Sequence, residues 1–223
     1  MSVLEELDQN KRQLIQEHLE LVIKANETSN LTRITSVEEA QLLHIEDSLS
    51  GFQEMQEAPV GLYGDMGSGA GYPGIPLAIA TGRKTLLIDS RKKKMDIMAS
   101  IIEQLGLENQ VNVYAGRAEL LARNHAGEFS VLTARALSKL SVLMELASPL
   151  LAKDGLLICY KSHIEQEEMD NALRVQKLVG MKLNSDRSFM LDDYERRIVT
   201  FRKSGKPSIR LPRLEGQAQN NPL

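Results

Sequence analysis

Leu62-Tyr63-Gly64-Asp65-Met66-Gly67-Ser68-Gly69-Ala70-Gly71-Tyr72-Pro73-Gly74-Ile75-Pro76-Leu77 is the stretch whose reading decides the fold. An apolar run ends in an aspartate, alternating glycines turn the chain, and an apolar segment continues through Ala80. The order expected is strand, tight loop, helix. Gly67, Gly69 and Gly71 can take positive φ and leave backbone N–H groups uncovered by side chains. A ligand therefore has close access to the loop and to the first helical turn. A glycine-rich surface turn is the plainer alternative, and a second acidic strand end, Asp89, placed 22 residues beyond Gly67, argues against it.

Two nucleotide-type ligands suit such a loop. Gly69-Ala70-Gly71-Tyr72-Pro73-Gly74 satisfies the dinucleotide pattern G-x-G-x-x-G, with Asp89 downstream. In that register the first glycine lies four residues beyond Asp65, and Pro73 stands where the chain approaches a phosphate. The other register, Asp65-x-Gly67-x-Gly69-x-Gly71, keeps the acid at the strand end. That pattern suits S-adenosylmethionine, which carries a cationic sulfonium and no pyrophosphate. A carboxylate beside the loop favours this second ligand over the first.

The chain of 223 residues is long enough for a full α/β core and a small appendage. Its 42% hydrophobic and 26% charged residues are ordinary for a globular protein. A single cysteine, Cys159, excludes an internal disulfide and fits a reducing compartment. The first ten residues are too acidic for a signal peptide, and no run is long enough to span a membrane. A cytoplasmic protein is expected. Residues 1–60 carry a net charge of −8 and the remainder +5, although the whole chain stands at only −3. Any polyanion site must therefore be a local patch.

Working outward, Leu4, Leu7, Leu14, His18, Leu21, Val22 and Ala25 recur at helical steps. Ser36 with Glu39 opens a second helix through Leu43 as a capping box. Residues 1–58 are expected to form a helical subdomain packed on a core of residues 59–204, with residues 205–223 as a basic, loop-like tail. Within the core, strands are expected at 84–89, 111–115, 129–134 and 155–160, alternating with helices at 91–105, 140–151 and 164–179. The segments 181–183 and 198–201 read as two short strands with an irregular link. This alternation predicts a doubly wound, mostly parallel sheet. Its ligand is expected beyond the carboxyl ends of the strands, where Asp65, Asp89, Glu119, Arg135 and Lys161 fall.

Each of these residues has two readings. Asp89 can cap the next helix or accept both ribose hydroxyls; Glu119 is a first-turn helix acid or a partner for an adenine edge. Arg135 closes an apolar strand, a costly place for a charge without a partner, and points to an active-site mouth rather than a surface ion pair. Lys161 has the same case beside Cys159-Tyr160. Arg91-Lys92-Lys93-Lys94 is a solvated helix start or an RNA contact. Arg202, Lys203, Lys206, Arg210 and Arg213 form a basic run with no acid before Glu215, either solvated or touching phosphate. Cys159 lies in an apolar strand and reads as an inert buried thiol. The four histidines lack metal-ligand spacing, so no metal is expected. Thr133-Ala134-Arg135-Ala136 holds no Asn-Pro-Pro-Tyr-like motif, which argues against methylation of an exocyclic amine.

The ordered set Asn30-Leu31-Thr32, His44 with Asp47-Ser48-Leu49, the glycine stretch, Gly116-Arg117-Ala118-Glu119, Arg135-Ala136, Tyr160-Lys161 and the tail Pro212-Arg213, Gly216 and Pro222-Leu223 resembles one family. It is that of the bacterial glucose-inhibited division protein B, the small-subunit ribosomal RNA guanine-N7 methyltransferases. The resemblance implies a class I, Rossmann-like fold with a seven-stranded sheet and transfer of a methyl group from S-adenosylmethionine to one guanine N7 of 16S rRNA. It implies donor binding around Asp65, Gly67, Gly69, Gly71, Tyr72, Asp89, Ala118, Glu119 and Arg135, with Arg135 and Lys161 as catalytic candidates. The partner implied is 16S rRNA or the small subunit, and a monomer is expected. Ser162 replaces a family glycine, and Asn220-Asn221 replaces a usually basic pair. Another RNA, a small molecule or a protein as substrate, or a non-catalytic nucleotide-binding module, are the other readings.

Overall fold

The structure is a computed structural model describing residues 2–34 and 36–223; Met1 and Thr35, both within the expected 1–58 layer, lie outside the described residues. Seven strands, β1 (Leu62–Met66), β2 (Thr85–Asp89), β3 (Val111–Ala115), β4 (Phe129–Arg135), β5 (Leu151–Lys161), β6 (Met181–Leu191) and β7 (Tyr194–Lys203), form one sheet in the order β3-β2-β1-β4-β5-β7-β6. The first five strands pair in parallel, and β7 runs antiparallel to both its neighbours. The period of two along each strand builds two cores. Val131, Leu156 and Ile158 enter one apolar cluster, while Leu132, Leu157 and Cys159 enter the other. Both faces of the sheet are covered, as a parallel sheet requires.

The N-terminal layer holds α1 (Val3–Glu6), α2 (Gln9–Ser29), α3 (Val37–Ala40), a π-helix (Gln41–Glu46), α4 (Asp47–Leu49) and α5 (Phe52–Glu57). Asp8 caps α2 by accepting from the Lys11 N–H, and Asn30 ends the helix in the left-handed region. Ile15, Leu19 and Val22 of α2 share the first core with α6 (Gly74–Thr81) and α7 (Lys92–Gln104). That packing makes the layer continuous with the core on this face. The helix expected from Ser36 is present and runs without interruption from Val37 to Leu49, with the π-helix as a wider turn in its middle. The Ser36 hydroxyl does accept from the Glu39 N–H, at 3.1 Å.

α8 (Ala118–Leu121), α9 (Leu140–Ala147) and α10 (Gln166–Val179) cover the other face. Two expectations are revised at the C-terminal end. The short strands at 181–183 and 198–201 are parts of a long β6–β7 hairpin. Its edge strand is polar because only one side is covered, and it is held by pairs such as Arg197–Asp186 rather than by apolar alternation. The tail is not loose either. It ends in α11 (Gln217–Asn220), whose preceding Gly216 and included Ala218 are buried.

Candidate functional site

The chain reverses its direction of travel across the sheet at β1: β2 and β3 lie on one side, β4 and β5 on the other. A cavity of about 390 Å³ opens at the carboxyl ends of these strands. That is where a doubly wound sheet leaves a crevice.

Gly67 and Gly69 floor it at φ +74° and +56°. A side chain at Gly67 would lie 2.8 Å from Leu137, itself on the wall. Asp89 organises the loop: Oδ2 accepts from the Gly69 N–H at 3.0 Å and Oδ1 from the Arg91 N–H at 2.8 Å. The carboxylate thus steadies the glycine loop and the head of α7 while keeping lone pairs for a ligand. At the end of β3, Ala118 and Glu119 line the same cavity, and Glu119 Oε1 accepts from the Gly216 N–H at 2.8 Å.

Aromatic rings form the opposite side. Tyr72 stacks on His44 with centroids 4.3 Å apart and planes 9° from parallel, and His18 meets Tyr72 at 4.7 Å, tilted by 47°. The Arg135 guanidinium lies 5.7 Å from the Tyr72 centroid. It donates to Asp47 Oδ2 and to the Leu43 carbonyl, both at 2.8 Å. Asp47 Oδ1 in turn accepts from Arg196 Nε at 2.7 Å, so one buried carboxylate is clamped by two guanidiniums. Burial, followed by the Arg135 charge, lowers the His44 pKa to about 4. Arg135 has only donors to offer His44 Nδ1, 3.5 Å away, so the Nε2–H faces the Thr32 hydroxyl at 3.0 Å. Burial lowers the His18 pKa to about 3. Both ring nitrogens of His18 and the Tyr72 hydroxyl are buried without a hydrogen-bond partner among the described residues.

The structure does not bring every candidate to this cavity. Asp65 is fully buried beneath the loop, accepting from the Thr133 hydroxyl at 2.7 Å and from the Gly74 N–H, at the start of α6, at 3.0 Å. Burial raises its pKa to about 6. Gly71 faces inward, where a side chain would meet Ile75 at 2.8 Å and His18 at 3.1 Å. Lys161 is held by Glu168 at 2.6 Å and the Ser138 carbonyl at 2.9 Å, off the cavity wall. Cys159 is buried, and burial pushes its thiol up to about 12.

The basic run is dispersed, because β7 is antiparallel and carries its last residues to the far end of the sheet. Arg202 there donates to Asn184 and to the Asp154 carbonyl. Lys203 is buried on Ser148 and the Val179 carbonyl, with its pKa lowered to about 8 by burial. Arg213 forms a two-pronged pair with Glu145 at 2.6 Å. Lys206 and Arg210 are exposed. Conversely, Leu31, Thr32 and Gln219 reach the wall without having been singled out as ligand contacts, and Lys94 reaches it from the run read as a solvated helix start or an RNA contact. Lys94 reaches it while donating to the Leu31 carbonyl at 2.8 Å. The Asn30-Leu31-Thr32 motif was the one signal in the sequence for that part of the wall.

The family model for rRNA small subunit methyltransferase G matches residues 11–196. The chain belongs to this methyltransferase family. A relative in Listeria monocytogenes, named ribosomal RNA small subunit methyltransferase G, is 32% identical over 223 aligned positions, covering 98% of this chain and 93% of the relative. One in Lactococcus lactis with the same name is 34% identical, covering 92% and 88%. Among solved structures, a geranyl diphosphate C-methyltransferase from Streptomyces coelicolor in complex with S-adenosyl-L-homocysteine superposes with a TM-score of 0.57 at 10% identity, over 71% of this chain and 77% of that one. A [4+2]-cyclase superposes equally well, at 0.57 and 14% identity over 71% and 81%. These likenesses show the class I methyltransferase fold, and the cyclase shows that the fold alone does not set the reaction. Membership of the family assigns rRNA methylation to this chain.

Proposed function

We propose that the protein transfers a methyl group from S-adenosylmethionine to N7 of one guanine in 16S rRNA, as a cytoplasmic monomer acting on the small subunit or its RNA. The observation that carries the reading is the composition of the cavity wall. It has carboxylates at the ends of β2 and β3, a glycine floor open to close approach, and an aromatic and guanidinium wall.

Those residues fit the donor. Gly67, Gly69 and the loop N–H groups would take its amino acid part, Asp89 its ribose hydroxyls, and Ala118 with Glu119 its adenine. When bound, the donor supplies an electrophilic methyl group on a cationic sulfur. Guanine N7 presents an in-plane lone pair and carries no proton to remove. The residues around it have to align rather than deprotonate. His44 meets that need. Held neutral, with Nδ1 turned to Arg135, it adds no positive charge beside a base that becomes cationic. Asp47 fixes Arg135 at the mouth, where the guanidinium is placed to meet phosphate or the base edge. Residues 1–58 act as the layer that delivers this wall, around a core of residues 59–204.

Exposed Arg33, Arg91, Lys93 and Lys139 lie on the segments that form the cavity rim, and we assign phosphate contact to them together with Arg210. The test is methyl transfer from labelled S-adenosylmethionine to small subunits from cells lacking the activity, with mapping of N7-methylguanine by chemical cleavage. A single modified guanine, lost with folded Gly67→Asp, is the expected result. Donor binding without rRNA methylation would overturn the substrate assignment.

A further inference from the structure

The C-terminal tail enters the cavity. Arg213 is clasped by the buried Glu145 of α9 and also donates to the Asn221 carbonyl at 2.9 Å. Arg117 Nε meets Glu215 at 3.2 Å, and the Gly216 N–H reaches Glu119 Oε1. Ala218, 1% exposed, plugs the tail into the second apolar core. One turn of helix after Gly216, the exposed Gln219 side chain stands on the cavity wall with Ala118 and Glu119. The ties on both sides of it are charged or buried, so Gln219 is placed by the fold rather than by chance drift of a terminus.

We propose that Gln219 is a donor-binding residue that reads the adenine edge, delivered there by docking of the tail on Glu119. The inference rests on the assignment of S-adenosylmethionine to this cavity. Strand order sets which part of the donor Gln219 meets. With Asp89 of β2 assigned to the ribose and Ala118 and Glu119 after β3 assigned to the adenine, the base would lie at the β3 end, and Gln219 lines the cavity there with Glu119. A carboxylate only accepts hydrogen bonds, and one oxygen of Glu119 is already engaged by the tail. A primary amide offers both a donor and an acceptor, which matches the paired N6 amino group and ring nitrogen of adenine. The same arrangement couples donor binding to tail docking through Glu119, because each favours the carboxylate position the other uses.

The experiment is equilibrium binding of S-adenosylhomocysteine to the full chain, with Gln219→Ala and Gln219→Glu, alongside thermal unfolding without ligand. The expected result for Gln219→Ala is an affinity weaker by about two- to tenfold, the loss of one net hydrogen bond, with unchanged unfolding. S-inosylhomocysteine, which replaces the amino group by a carbonyl, should lose more affinity in Gln219→Glu, where acceptor faces acceptor, than in the wild type. Wild-type affinity in Gln219→Ala, or a change only in the KM for RNA, overturns the inference while leaving the donor assignment standing. No binding of S-adenosylhomocysteine by the folded wild type overturns the donor assignment and this inference with it.

Discussion

His18 and Asp65 act on stability with opposite signs. Burial holds His18 neutral with a pKa of about 3, well below the ordinary 6.5. Between those values the unfolded chain takes up a proton that the folded chain refuses, so stability is lost as pH falls below 6.5. At pH 5 this amounts to about 2 kcal/mol for one histidine. Asp65, raised from 3.8 to about 6, keeps a proton in the fold that the unfolded chain has released. Its contribution is present at low pH and lost as pH rises through 6. The net slope is a difference, and His18→Leu isolates one part of it. Since neither ring nitrogen has a partner among the described residues, the apolar variant is expected to lose distinctly less stability than wild type between pH 7 and pH 5, measured by chemical denaturation. Equal slopes would count against a neutral buried His18. At the mouth, Asp47→Asn leaves Arg135 and Arg196 without their shared charge. A loss of about 3 kcal/mol is expected, together with a fall in kcat for RNA larger than any change in donor affinity.

At the scale of elements, one side chain ties the link between α5 and β1 to the sheet. Arg83 donates to the carbonyls of Pro59, Ala58 and Met55 at 2.7, 3.0 and 3.2 Å, and to the Ser130 hydroxyl at 3.2 Å. Arg83→Met keeps the stem and strands those carbonyls. A cost of about 2–3 kcal/mol in urea unfolding is expected, with donor affinity little changed because the junction lies away from the cavity. A second set of ties joins the hairpin to the layer: Arg187 pairs with Glu54 at 2.8 Å and donates to the Ser50 carbonyl at 2.7 Å, parallel to the Arg196–Asp47 contact. The helical segments around the π-helix are thus clamped from the sheet side by arginines of β4, β6 and β7. None of these clamps was legible in sequence. Each joins residues at least 88 positions apart, beyond the reach of any local pattern.

The molecule as a whole is acidic, at −3, yet its proposed polyanion-binding surface needs only the cations around one mouth. Replacing Arg33, Arg91, Lys93 and Lys139 by glutamate is expected to weaken RNA methylation and to flatten its salt dependence by up to about one unit of slope per lost phosphate contact. The control is Arg202→Glu, at the far end of the sheet, which should leave both unchanged. An equal effect of the control would move the RNA surface to the opposite end.

The order of strands and helices followed from alternating apolar runs and glycine stops, because each strand buried on both faces writes a local signal. The glycine loop with its two acidic strand ends was legible for the same reason, since turn geometry and strand ends are properties of neighbouring residues. Only the tertiary structure decided that Asp65 and Gly71 support the loop from beneath, and that Lys161 pairs with Glu168. It also decided that the basic run splits between two ends of the sheet, through the antiparallel direction of β7. The joining of His44, Arg135 and Gln219 at one cavity, with Asp47 holding Arg135, belongs with these. The physical reason is common to all: burial, ion pairing and chain direction are set by residues far apart in sequence, and a local pattern holds no record of its distant partner.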